Sequence, residues 1–324
     1  MALYRRGLLK PAKLPFPVIS VGNITAGGTG KTPLVEYLAH AIADAGFTVC
    51  ILTRGYGREN PGRRVLVSDA VTVFATEPEA GDEPLLLAKK LRGVAAVICD
   101  ADRFAAGQWA VDNLNSTVFI LDDGFQHLQL ARDLNVVTID ATDPWGGGHL
   151  LPRGRLREPA RGLSRADLIV ITRADQSTKL DLLKDEIREL ANRPLLISRM
   201  VVRGLRELGN SAAAQKMQID KPVAAFSAIG NQDAFVRQLE AEGIEIVRVS
   251  TFRDHHRYTQ REIDDIVASA KDAGAHALIT TEKDAVKLEH ISLTFPCYVV
   301  DIQIQIDNAQ CLVDMLREAI RSAA

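Results

Sequence analysis

The stretch VISVGNITAGGTGKTPL, Val18 to Leu34, decides the fold of the first half of the chain. Its apolar start reads as a buried strand, its middle as a glycine-rich loop, and its end as the opening of a helix whose pattern continues from Leu34 to Ala45. Gly27, Gly28 and Gly30 allow a loop to turn its backbone N–H groups inward around an anion. Lys31 then reaches the β- and γ-phosphates of a nucleotide, the Thr32 hydroxyl suits Mg²⁺, and the helix presents its positive end. Thr25 stands where a P-loop has its first glycine. The candidate nucleotide-binding residues are therefore Thr25, Gly27, Gly28, Thr29, Gly30, Lys31 and Thr32.

Outward from this loop, the runs TVCILTRGYG, AAVICDA, STVFILDDG, LNVVTID and ADLIVITRA read as further buried strands separated by helical stretches. Such alternation predicts an α/β fold, a P-loop parallel sheet domain with helices on both faces. The rhythm fades from Val201 to Asp220, which reads as a linker or small hairpin, and resumes with PVAAFSAIGN, EIVRVSTF, HALITTEKD and CYVVDI. Residues 1–220 are thus expected to form the nucleotide-binding and catalytic domain, and 221–324 a second, smaller α/β domain that closes over the site. The run PWGGGHLLPRGRLREP, Pro144 to Pro159, is long for a plain connection and reads as a functional or lid-like loop.

The chain has 324 residues, 47% of them hydrophobic and 25% charged, which suits two domains of ordinary size. A net charge of −2 lacks the basic field that nucleic-acid binding requires, so nucleic acid is not an expected partner. Cys50, Cys99, Cys297 and Cys311 are too scattered for a metal cluster or disulfide framework, and a cytoplasmic compartment is expected. The opening MALYRRGLLKPAKLPF has neither a signal h-region nor a spanning helix, and mixes bases with apolar residues as a membrane-surface contact would. On the residues alone a solvated arm is the preferred reading, because Pro11 and Pro15 interrupt the segment.

Four constellations carry chemistry. The strand ending in Asp122 and Asp123 delivers carboxylates to the C-terminal edge of the sheet, opposite Thr32, where they suit Mg²⁺; His127 follows in DDGFQH. A second strand brings Asp100, Asp102 and Arg103 to the same edge, an acid to accept a hydroxyl proton and a guanidinium to stabilise transferring charge. FRDHHRY supplies His255 and His256 as acid/base partners, and TEKDAVK places an acid–base cluster at a helix start, either as a cap or facing a cleft.

With GNITAGGTGKTP, TRGYG, GDEP, DDGFQH, DHH and TEKDAVK in this order, the chain resembles the tetraacyldisaccharide 4'-kinases of lipid A synthesis, from about Val18 to about Asp301. The resemblance implies transfer of the ATP γ-phosphate to the 4'-hydroxyl of a tetraacyldisaccharide 1-phosphate, with Mg²⁺. The expected partners are this lipid and a membrane surface, with no obligatory protein partner, and the expected place is peripheral, on the cytoplasmic face of the bacterial inner membrane. It implies that Asp102 is the catalytic base, assisted by a histidine of DHH, of which His256 is preferred over His255. Members of that family usually open with a longer apolar helix than the arm seen here. Two rival readings share the loop: a kinase or ligase acting on a small soluble acid, and a nucleotide-switch ATPase. A switch usually carries a second lysine where this chain has Ala26, and it needs no DHH motif.

Overall fold

The computed structural model describes residues 9–210, 219 and 221–323. Most of the amino-terminal arm before Leu9 and much of the expected 201–220 linker lie outside these residues. The chain divides into two compact units, one comprising residues up to Arg199 together with those from Ile304 onward, the other spanning Met200–Gln303.

In the first unit the elements follow as β1 (Val18–Asn23), α1 (Lys31–Asp44), β2 (Val49–Thr53), β3 (Val65–Ser68), α2 (Glu77–Ala80), α3 (Asp82–Lys90) and β4 (Ala95–Cys99). Then come α4 (Arg103–Leu114), β5 (Val118–Asp122), β6 (Leu134–Asp140), β7 (Leu168–Thr172), α5 (Leu180–Ala191) and β8 (Leu195–Glu207), which leads out of the unit. The strands stand in the order β8-β7-β6-β1-β5-β2-β4-β3. All pair in parallel except β3, which runs antiparallel on β4 at the edge. Every residue of β1, β2, β4, β5 and β7 is buried, as expected for strands covered on both faces. Phe119, Leu52, Ile98, Leu121 and Leu14 share one apolar cluster; Val137, Ile139, Ile169, Ile171 and Leu163 share another.

The second unit has β9 (Val223–Ser227), α6 (Gln232–Ala241), β10 (Ile246–Thr251), α7 (Gln260–Asp272), β11 (Ala277–Thr281), the short α8 (Glu282–Ala285) and β12 (Cys297–Ile306). Its strands are ordered β10-β9-β11-β12 and pair in parallel. The chain returns along β12 to the first unit, which α9 (Ala309–Ala323) completes.

The structure differs from the sequence expectation in its division into units and in two strands. The break falls at 199/200 rather than near Lys221, and the carboxy-terminal residues from Ile304 group with the first unit. The physical reason is β8, a strand absent from the sequence reading, which runs through the expected linker's start to Glu207, burying Gly204 and Leu205 while Arg199 and Arg203 face outward. Arg203 and Glu207, both exposed on this strand, give the start of the stretch its polar, linker-like look. The antiparallel strand β3 also has no counterpart in the sequence reading.

Candidate active site

The glycine-rich loop leaves β1 at Asn23 and enters α1 through Gly30, whose φ of 77° lies in the left-handed region that favours glycine. The loop is fixed from behind. The Asn23 amide donates to the Thr29 hydroxyl at 2.8 Å, which also lies 2.9 Å from the Thr138 hydroxyl of β6. Thr172 Oγ1 donates to the Thr29 carbonyl and Arg173 to the Gly28 carbonyl, each at 2.9 Å. Arg173 is itself held by Asp140 at 2.5 Å. With carbonyls and side chains engaged by neighbouring strands, the loop's shape is set before any anion arrives.

The segment DDGF packs directly against β1. An added Cβ on Gly124 would lie 2.5 Å from Leu121 Cγ and 2.7 Å from Ser20 Oγ, and one on Gly22 would lie 2.6 Å from Phe125 Cβ. Only glycine at both positions allows the turn to sit this close. Asp122 ends β5 in register with Val21 and is buried, accepting from Thr53 Oγ1 at 3.1 Å. Burial pushes its carboxyl up to about 7, reinforced by the charges of Glu83 and Asp123 and opposed by Lys31 and Thr53. Asp123 behaves oppositely: burial raises it, but Lys31 at 3.5 Å and Arg157, with both carboxylate oxygens at 2.7 Å, together hold it below the usual carboxylate range.

Asp102 caps α4, its Oδ1 accepting from Ala105 N at 3.0 Å, while its own N–H donates to Asp100 Oδ1 at 2.9 Å. Asp100 in turn accepts from Arg64 Nε at 2.7 Å. Arg103 is buried; its guanidinium donates to the Ala101 carbonyl at 2.9 Å, and its Nε has no acceptor among the described residues. Burial and then the neighbouring charge of Arg54 lower its pKa, against the pull of Asp122 and Asp123. His127 is driven down to about 4, first by burial and then by Arg103 and Arg132, with Asp102 opposing, so at neutral pH its imidazole is uncharged. Lys31, Asp122, Asp123, Asp102, Arg103 and His127 are thus brought into one electrostatic neighbourhood at the carboxyl ends of the parallel strands.

Sequence reasoning missed several members of this neighbourhood. Arg157 had a signal, because it lies in the long Pro144–Pro159 loop. That loop is bonded into the site: Ala26 N donates to the Arg155 carbonyl at 2.6 Å and Arg157 N to the Ile24 carbonyl at 2.7 Å. Next to Arg157, buried Glu158 accepts a two-pronged bond from Arg165, 2.8 Å each, and a bond from Gln126 at 3.0 Å. Glu83 of GDEP and Thr53 of TRGYG belong to the motifs but carried no assigned role.

In the second unit His255 has a left-handed φ of 63° and its Nε2 lies 3.5 Å from Lys283 Nζ, which pairs with Asp254 at 3.0 Å. His256 is oriented differently. Its Nε2 lies 3.1 Å from Glu262, and its ring stacks on Phe252 at 4.9 Å and meets Tyr258 edge-on at 5.4 Å. TEKDAVK supports this cluster from within. Asp284 is fully buried and accepts from Tyr258 OH at 3.0 Å, Thr281 Oγ1 at 2.7 Å and Ala228 N at 3.1 Å, with Lys287 Nζ at 2.7 Å.

A phosphate-cradling loop between a central parallel strand and a helix, with a strand-end carboxylate beside it, defines a P-loop nucleotide-binding protein. The family model described as tetraacyldisaccharide-1-P 4'-kinase matches residues 1–321. The chain is 43% identical over 295 residues to the tetraacyldisaccharide 4'-kinase of Anaeromyxobacter dehalogenans strain 2CP-C, covering 89% of this chain and 76% of that one. To the enzyme of the same name from Syntrophus aciditrophicus it is 36% identical over 329 residues, covering 98% and 88%. The crystal structure of Aquifex aeolicus LpxK in complex with ATP superposes with a TM-score of 0.76 at 33% identity, covering 98% of this chain and 93% of that one. The chain belongs to the tetraacyldisaccharide-1-P 4'-kinase family, and is a kinase of lipid A biosynthesis.

Proposed function

We propose that the chain transfers the γ-phosphate of ATP to the 4'-hydroxyl of a tetraacyldisaccharide 1-phosphate through the cluster around the glycine-rich loop, working at the cytoplasmic face of the inner membrane as a peripheral protein. Among the described residues no helix is long and apolar enough to cross a membrane. The observation that carries the reading is the convergence of Lys31, Asp122, Asp102 and Arg103 on one sheet edge.

The amides of Gly27 to Gly30 and the Lys31 ammonium hold the nucleotide phosphates. The donor set fits Mg²⁺: Thr32 offers a hydroxyl, and Asp122 is a buried carboxylate whose ionised form lacks full compensation from Lys31 and Thr53. When bound there, Mg²⁺ offsets phosphate charge. Asp123, expected beside Asp122 as a metal-side acid, is engaged by Lys31 and Arg157 and so serves to hold the lysine in place. Asp102 aligns the acceptor hydroxyl and takes its proton; one carboxylate oxygen stays anchored at the helix cap, which fixes the other. Arg103 stabilises charge on the transferring group. His256, oriented by Glu262, assists; its pairing with an acid is the arrangement that fixes an imidazole's tautomer.

The test is transfer of labelled γ-phosphate from ATP to the lipid in detergent micelles. The wild type gives product, Lys31→Ala gives almost none, and Asp102→Ala loses turnover with ATP affinity retained. Equal loss of ATP affinity in Asp102→Ala moves that residue to the metal shell. Replacement of His256 by Asn, but not of His255, lowers turnover if the assignment within DHH is right.

A further inference from the structure

We propose that the turn His149–Arg153 in the Pro144–Pro159 loop is the element with which the protein seats on an anionic bilayer surface, the leucine pair entering the headgroup boundary and Arg153 lying among the phosphates. This rests on the peripheral membrane reading above and names the surface that carries it.

Leu150 and Leu151 are 47% and 54% exposed. Among the described residues Phe47, Val71, Phe74 and Leu182, also large and exposed, stand singly in sequence, as on any soluble surface, whereas Leu9 follows Leu8 in the amino-terminal arm. Here two are adjacent, and they are held outward by an ordered turn. Leu151 N donates to the Leu156 carbonyl at 2.9 Å, Leu156 N to the His149 carbonyl at 3.0 Å, Arg153 N to the Leu150 carbonyl at 3.0 Å and Gly154 N to the same carbonyl at 3.1 Å. Gly154 is required, since a Cβ there would lie 2.3 Å from the His149 carbonyl oxygen. Leu156, five residues after Leu151, turns inward to the apolar cluster under β6 and β7, so the loop sorts its leucines into buried and displayed.

Charge identifies the occupant. No acidic residue occurs between Pro144 and Arg157, while His149, Arg153 and Arg155 do; Arg155 is engaged by Asp143, just before this stretch, and the Arg153 side chain is exposed with no partner among the described residues. An apolar tip flanked by bases matches an anionic lipid surface rather than an acidic protein, which offers nothing to the leucines. Because the turn is already ordered, docking costs little conformational entropy. The same loop bonds to the nucleotide loop through Ala26 and Ile24, so contact at the tip sets the depth of the reacting centre relative to a lipid acceptor.

The experiment is cosedimentation of the full chain with vesicles of phosphatidylethanolamine, with and without phosphatidylglycerol. It uses the wild type, the double variant Leu150→Ser/Leu151→Ser, Arg153→Glu, and Leu182→Ser as a surface control. The expected result is phosphatidylglycerol-dependent binding of the wild type and of Leu182→Ser, weakened about tenfold or more in the double variant and in Arg153→Glu. The apparent KM for lipid in vesicles rises in parallel, while ATP affinity stays unchanged. Wild-type binding with an equally strong double variant overturns the assignment of the tip and leaves the peripheral reading standing; no wild-type binding overturns both. Self-association of the wild type in lipid-free buffer, abolished in the double variant, assigns the leucines to a second copy and likewise overturns the proposal.

Discussion

The buried pair Asp284–Lys287 predicts a specific pattern of losses. Lys287 is 2% exposed and Asp284 0%, so neither charge has access to solvent compensation. Removing one member of such a pair costs about 3–5 kcal/mol, and the two halves differ here. Lys287→Met leaves the carboxylate with the Tyr258 hydroxyl, the Thr281 hydroxyl and the Ala228 amide, which places the cost near the lower end, about 3 kcal/mol. Asp284→Ala removes the carboxylate altogether and leaves the ammonium, among the described residues, with the Tyr258 ring 5.4 Å from its centroid, at a cost of about 5 kcal/mol. In the double variant no buried charge remains, so its loss is smaller than the two single losses added, by about 3 kcal/mol. The chain has two units, so a single melting curve is a poor reporter; hydrogen exchange of the β9 and β11 amides reads the second unit directly. Since Tyr258 touches His256 edge-on, each single variant also loosens that histidine. Additive single losses refute the reasoning, because they mean that neither charge depends on the other.

Three further outcomes follow from the site. The Asp122 carboxyl is pushed up to about 7 and a cation needs its ionised form, so Mg²⁺-dependent ATP binding measured by calorimetry strengthens about tenfold per pH unit below 7 and levels off above it; Asp122→Asn abolishes that slope. Arg64→Ala frees Asp100, the acceptor for the Asp102 N–H, and lowers kcat about tenfold with the KM for ATP unchanged and partial rescue by Arg64→Lys; a fall in thermal stability with kcat intact assigns Arg64 to the scaffold instead. Gly124→Ala forces its Cβ against Leu121 and Ser20 and destabilises by about 1–3 kcal/mol in thermal denaturation; an unchanged midpoint shows that the turn can withdraw from β1.

The nucleotide loop was legible because its residues have local reasons to be there: a glycine for a left-handed φ, an apolar strand before it and a helix pattern after it. The parallel strands were legible for the same reason, since burial on both faces leaves an unbroken apolar run. β3 escaped because only Val67 and Ser68 of its four residues are buried and its antiparallel edge position demands little. The pairing of Asp123 with Arg157 could not be read from composition, for it depends on the path of a loop that crosses back over the nucleotide loop after 34 residues. TEKDAVK was legible as an acid–base cluster but not as a buried one; nothing local distinguishes a cap on the surface from one sealed beneath Tyr258. The membership of α9 in the first unit was invisible for a related reason, since amphipathicity shows that a helix packs and not against which sheet.

The return of the chain from the second unit to the first has a consequence for the order in which the molecule is made. Synthesis delivers the nucleotide loop and the whole parallel sheet through β7 early, yet the first unit gains its last helix only when Ala309–Ala323 emerges. The second unit, encoded later, has all its residues by Gln303 and is complete sooner. The unit that carries the nucleotide site therefore starts folding first and receives this helix only after its neighbour is complete, and a stop codon after Gln303 would damage it while sparing every residue of its neighbour.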